Sequence, residues 1–227
     1  MDVLDVKVRF RREAGDELPV LVWKLPGPAR AVATSPYGGG MGTRRWVVNA
    51  QVPGSYSRRD PEHHLGRMAV SLGLPGAGVG MLTAADVRRV ASGHDGGVSV
   101  AATVGLGTPV DAAAWAGGDG SSWPGVDDDE YRAGTINVVA FLPERLADGA
   151  LVNAVATITE AKCQALRDLG LRATGTATDA VAVLCPVEGR PAAFGGPRSR
   201  WGARLARAAY RAVLDGGGRW LQEGGRA

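Results

Sequence analysis

The sequence predicts an α+β fold: a single domain of mixed or antiparallel sheets covered by helices, with an αββα sandwich as the layering that the element order suggests. Three observations lead there. The first half consists of short apolar runs broken by Gly, Pro or charge. Most of their connections are short, which favours antiparallel pairing. The second half alternates strand, long helix, strand and final helix. The domain is expected over 1–214, and 215–227, which reads DGGGRWLQEGGRA, is expected to be a flexible C-terminal tail.

The elements follow in order. Val3 to Phe10 alternates apolar and polar residues, as a half-buried strand does. Val20 to Trp23, Ala31 to Ser35 and Trp46 to Val52 are further strands, with the Gly-rich SPYGGGMGTRR between the last two. A helix is expected over Pro61 to Leu72, with Asp60 as its N-cap and Pro61 in the first turn. Gly78 to Leu82 is a strand, and Thr83 with Asp86 caps a short helix to Val90. Val98 to Val104 is a buried strand. Gly105 to Tyr131 is a long irregular stretch carrying Trp115, Trp123 and the acidic run Asp127 to Glu130, and is expected to cover a ligand. Thr135 to Leu142 and Ala180 to Cys185 are strands around a helix from Gly149 to Leu169 capped by Asp148. Ser199 to Leu214 is the last helix, with Trp201, Leu205, Ala208 and Ala212 on one stripe.

Composition removes several function classes. The net charge of +3 is too small an excess to argue for nucleic acid. The arginines near the end fall on the outer side of a helix and read as a solvated face. No run approaches the roughly 20 apolar residues that span a bilayer. The first residues lack the apolar core of a signal peptide. Two cysteines, Cys163 and Cys185, do not make a disulfide framework. These readings place the protein in the cytoplasm with reduced thiols.

Motif absences narrow the chemistry further. There is no P-loop, no G-x-S-x-G elbow and no H-E-x-x-H, and GAGVGM lacks the third glycine of the dinucleotide fingerprint. Adjacent His63 and His64 point about 100° apart on a helix and cannot chelate like an i, i+4 pair. A surface or capping role is expected for them. No metal site is expected, and the acidic run Asp127 to Glu130 reads as a solvated loop.

The helix from Gly149 to Leu169 is the most informative segment. Leu151, Val155, Ile158, Leu166 and Leu169 form one stripe, and Lys162 falls in its middle. A lysine there must snorkel or meet an anion, because an unpaired buried ammonium costs several kcal/mol. Asn153 and Glu160 align on the opposite side. Taken alone, the helix fits an exposed glutamate and an edge lysine. The next segment, GTATD before AVAVLCP, adds Thr174, Thr176 and Thr178 and sets Asp179 at the mouth of a strand. Glu, Lys, Thr and Asp can then meet in a small polar volume.

GTINVVAF, LADGALVNAVATITEAKCQAL and ATGTATDAVAV together resemble the adenosylcobinamide amidohydrolase family. NAQVPGSYSRRDPEHHL, GVGMLTAADV and VSVAATVGLG are similar to the same family's upstream segments. The resemblance runs from about Ser35 to Tyr210 and is most specific from Gly134 to Val183. This chain departs from the family pattern at Tyr37, which precedes the glycines where the family commonly has Asn, and at Thr108 to Asp111.

The resemblance implies cleavage of the amide that joins aminopropanol to the corrin ring, giving adenosylcobyric acid for cobalamin salvage. It implies no cofactor and a corrinoid small-molecule partner. The rival readings are a non-catalytic corrinoid-binding protein and an amidase of the same fold acting on another amide. Amide hydrolysis needs a nucleophile, an oxyanion stabiliser and an acid for the leaving amine. Water activated by Glu160 or Asp179 is the favoured route. Attack by Thr135, Thr176 or Thr178 is the other. Lys162 is the candidate oxyanion stabiliser or carboxylate tuner. Asn49, Asn137 and Asn153, with Gly39 and Gly40 of the Gly-rich loop, are candidates to hold the substrate. Trp46, Tyr56, Trp115 and Trp123 are candidates to line a corrin cleft.

Overall fold

The structure, a computed structural model, describes residues 5–13, 15–113 and 133–224. Trp115, Trp123 and the Asp127 to Glu130 run therefore lie outside the described residues, as does the expected ligand cover over most of its length.

Eight strands form one mixed sheet in the order β4-β3-β2-β8-β7-β6-β5, with β1 paired to β2 off that path. The strands are β1 (Val6–Glu13), β2 (Asp16–Ala33), β3 (Gly40–Gln51), β4 (Gly78–Thr83), β5 (Ala91–Asp95), β6 (Val98–Gly105), β7 (Thr135–Phe141) and β8 (Ala180–Pro186). The helices are α1 (Pro61–Ser71), α2 (Asp148–Asp168) and α3 (Arg200–Gln222), with a 3₁₀ turn at Val87–Arg89. Two pairs are parallel, β3 with β4 and β7 with β8. Helix α1 connects the first pair and α2 the second, so the molecule contains two β-α-β units.

The sheet folds on itself to give the expected αββα layering. Val20, Val22, Trp46 and Val48 pack under Leu65 and Met68 of α1. Val100, Val138, Val183 and their neighbours pack under α2 and α3. Between these layers Leu21, Trp23, Val47 and Met81 share a core with Ala101, Val139 and Ala182. Strand β2 joins the halves. Its first half pairs with β1 and β3, and its last residues pair with β3 and β8. The register breaks between Lys24 and Ala29, where Pro26 and Pro28 have no N–H to give the ladder. The runs expected as two strands, Val20 to Trp23 and Ala31 to Ser35, are thus one bent strand that ends at Ala33.

Other expectations change locally. Strand β5 was not expected. It pairs with β6 through a two-residue turn at Gly96 and Gly97, both at positive φ, where a side chain on either residue would be strained. Asp60 does not cap α1 with its side chain and instead meets Arg58. Asp148 lies inside the first turn of α2, after the N-cap Ala147, and pairs with Arg30.

The expected flexible tail is helical through Gln222. Its glycines serve close packing: a Cβ on Gly216 would stand 2.8 Å from Val104 Cγ2, and one on Gly217 would stand 2.6 Å from Leu169 Cδ1. Residues 225–227 lie outside the described residues.

Candidate active site

A cleft of about 450 Å³ opens where the C-terminal ends of β3 and β4 meet the N-terminal ends of β7 and β8. Thr135, Asn137 and Thr178 line it, with Tyr56, Arg58 and Leu82 among the residues across from them. The Thr135 and Thr178 hydroxyls are 2.7 Å apart. Asn137 donates through Nδ2 to Asn49 Oδ1 at 2.9 Å and to the Leu82 carbonyl at 2.8 Å. Asn49 in turn donates to Thr103 Oγ1 at 2.8 Å. This buried chain ties β3 to β6 and β7 across the inner core. Asn137 Oδ1 is buried and receives no hydrogen bond among the described residues.

Behind Thr135 and Thr178 stands an ion pair. Lys162 Nζ donates to Asp179 Oδ2, with both side chains about one-tenth exposed. Asp179 also accepts from Thr176 Oγ1 at 2.5 Å, Thr176 N at 3.2 Å and Ile136 N at 2.9 Å. Four donors occupy the roughly four acceptor sites of a carboxylate. The group is built to hold the start of β7 against the segment before β8, and has little left with which to bind a water. Gly175 completes the arrangement, since a Cβ there would sit 2.3 Å from Asp179 Oδ2 and 2.5 Å from Lys162 Nζ. Thr176 Oγ1 also lies 2.9 Å from the Gly134 carbonyl, and the residue is buried.

The structure therefore brings Thr135, Asn137, Thr178, Asn49, Thr176, Lys162 and Asp179 into one region. It does not bring Glu160 or Asn153 there. Glu160 is exposed on α2, about 200° round the helix from Lys162, and makes no hydrogen bond or ion pair among the described residues. Asn153 is exposed beside Gly196. Gly39 and Gly40 lie beyond Pro36, which lines the cleft, at the entry to β3, and neither is among the residues that line it. A Cβ on Gly39 would meet the Ser35 carbonyl at 2.5 Å. Trp46 is core, stacked on Tyr37 at 5.7 Å between centroids.

Sequence reasoning missed one cluster. His64 is buried on α1 and stacks on Tyr56, a cleft residue. Tyr56 Oη lies 2.9 Å from His64 Nδ1, and His64 Nε2 lies 2.8 Å from Glu13 Oε1. Arg11 holds Glu13 Oε2 at 2.6 Å and the Gln51 carbonyl at 2.7 Å. Burial lowers the His64 pKa, with Glu13 opposing, and burial raises that of Tyr56, with Arg58 opposing. The available signal was the i, i+4 spacing of His64 and Met68, which puts the histidine on the buried face of α1, but its partner comes from a distant strand.

Among the described residues no group of three His, Cys, Asp or Glu side chains is placed to hold a metal ion. No helix among them is long and apolar enough to cross a membrane.

Comparison with known proteins gives this geometry its context. A curated protein of Methanosarcina mazei named adenosylcobinamide amidohydrolase is 30% identical over 159 residues, 70% of this chain and 70% of that one. A protein of the same name from Halobacterium salinarum is 41% identical over 126 residues, 53% of this chain and 51% of that one. A solved structure, the PH0078 protein from Pyrococcus horikoshii OT3, aligns with a TM-score of 0.43 at 10% identity, covering 95% of this chain and 79% of the other. The chain is a hydrolase, of the class that cleaves amides. The family model described as adenosylcobinamide amidohydrolase matches residues 2–225, and the chain belongs to that family, whose reaction is the hydrolysis of adenosylcobinamide in corrinoid salvage.

Proposed function

We propose that this chain cleaves the amide between aminopropanol and the corrin ring within the cleft bounded by Thr135, Asn137 and Thr178, releasing adenosylcobyric acid in the cytoplasm. The observation that supports this reading is the convergence of two hydroxyls and a carboxamide on one cleft, where the buried carboxamide oxygen of Asn137 has no hydrogen-bond partner among the described residues. An amide substrate offers the complement: an N–H to donate and a carbonyl that becomes an oxyanion. Asn137 Oδ1 receives the N–H. The paired hydroxyls of Thr135 and Thr178 direct one proton to the carbonyl oxygen.

Lys162, Asp179 and Thr176 act beneath them as a frame, and Asn49 orients Asn137. Water is the nucleophile in this reading. A threonine nucleophile needs a free base within reach, and the carboxylate behind these threonines is already saturated.

Substitution of the cleft tests the reading. Thr178→Val removes one hydrogen bond and raises KM about 3- to 10-fold. Asn137→Leu keeps the shape but removes the acceptor, and kcat/KM falls at least about tenfold. Unchanged kinetics in both variants would place the reaction elsewhere.

A further inference from the structure

We infer that Glu13, His64 and Tyr56 form a proton relay that delivers a base, and then an acid, to the amide bound in the cleft. The inference rests on the cleft being the site of amide hydrolysis, and it supplies the group that the frame around Asp179 lacks.

The hydrogen bonds fix the direction of the relay. A carboxylate only accepts, so His64 Nε2, 2.8 Å from Glu13 Oε1, must carry the proton. In the neutral ring Nδ1 is then a bare acceptor. The Tyr56 hydroxyl, 2.9 Å away, must be the donor. Carboxylate, imidazole and hydroxyl thus stand in the order by which a hydroxyl proton is drawn off in hydrolytic triads. Burial keeps the ring neutral at rest. Glu13, held by Arg11, stabilises the imidazolium once it forms. The ring faces Glu13 and Arg11 from β1, and Tyr56, Arg58 and Asp60 from the segment before α1.

The step balances. A cleft water gives a proton to Tyr56 Oη as the hydroxyl's own proton passes to His64 Nδ1. The hydroxide adds to the amide carbon, and the carbonyl electron pair moves onto oxygen. When the tetrahedral adduct collapses, the C–N bond breaks. The leaving amine takes a proton from Tyr56 Oη, which recovers its own from His64. A carboxylic acid and an amine result, and the relay returns to its starting state. Tyr56 is the catalytic residue in this scheme, and His64 and Glu13 act through it.

The experiment compares the full chain with Tyr56→Phe and His64→Gln in turnover of adenosylcobinamide, KM, thermal unfolding and pH profile. Phe keeps the ring that stacks on His64 and removes only the hydroxyl. With the relay at work, Tyr56→Phe loses at least about 100-fold in kcat. Its KM and melting temperature stay near those of the parent. The parent's kcat/KM falls at acid pH as His64 takes a proton and Nδ1 can no longer accept. His64→Gln has a similarly low kcat and lacks that acid limb.

A parent that turns over while Tyr56→Phe matches it in kcat overturns the relay alone. So does a lower melting temperature with undiminished kcat, the mark of a mere clamp between α1 and its preceding loop. A parent that binds the corrinoid and never releases amine overturns the reading of the cleft itself.

Discussion

Lys162 on α2 and Asp179 before β8 form a buried ion pair beneath the cleft, and Gly175 leaves the space in which they meet. The pair explains why a lysine stands in the apolar stripe of α2. Its charge is matched by a carboxylate that also holds the Ile136 and Thr176 backbone N–H groups.

Breaking this pair from one side is costly. Removing one partner of a buried pair leaves the other uncompensated, at about 3–5 kcal/mol. Asp179→Ala should therefore lower the melting temperature by roughly 6–20 °C at this chain length. Lys162→Met combined with Asp179→Ala should recover part of that loss. A double-mutant cycle by denaturant unfolding measures the coupling, and strictly additive losses would count against it.

Glu160 behaves differently. It is exposed on the far side of α2 from Lys162, with no partner among the described residues. Glu160→Gln should change stability by no more than about 0.5 kcal/mol and leave turnover at the parent's level. A large loss of turnover in a folded variant would restore it, ahead of Asp179, as the candidate general base.

Much of the site was legible in the chain. The helical stripe required Lys162 to snorkel or meet an anion, and the GTATD segment set Asp179 at a strand mouth, so both residues were legible from charge and periodicity while their pairing was not. Thr135, Asn137 and Thr178 lie at or near strand starts that apolar runs marked well. The wheel could not say which polar face of α2 meets the cleft, because that depends on how α2 crosses the sheet; Glu160 and Asn153 fell on the face it leaves exposed. The Glu13–His64–Tyr56 cluster was hidden by distance along the chain. The bend in β2 was hidden because Pro26 and Pro28 read as a break between strands. The Gly216 to Gly218 run read as a tail because composition does not reveal a close helix contact.

That contact reverses an ordinary rule. Gly→Ala within a helix is usually favourable by roughly 0.5–1 kcal/mol. At Gly216 the added carbon would stand 2.8 Å from Cγ2 and 3.3 Å from Cβ of the stiff, buried Val104, so Gly216→Ala should instead destabilise by about 1–3 kcal/mol. A variant at least as stable as the parent, by chemical denaturation, would restore the reading of a flexible tail.

His64 also links stability to pH. Its folded pKa lies below the ordinary value of about 6.5, chiefly through burial. The unfolded chain therefore binds the proton first as pH falls. The contribution to stability is full above about 6.5 and is lost as pH falls from there through the folded value. Melting curves of the parent and His64→Gln across this range should show the parent losing stability more steeply toward acid. Parallel curves would contradict the assignment.

The most direct test of the central claim follows a single corrinoid sample through the reaction. Purified protein is mixed with adenosylcobinamide without nucleotide, and free aminopropanol and the corrinoid product are measured together. Aminopropanol and adenosylcobyric acid should appear in equal amounts over many turnovers. Saturable corrinoid binding with no aminopropanol released, or release of ammonia from another side-chain amide, would contradict it.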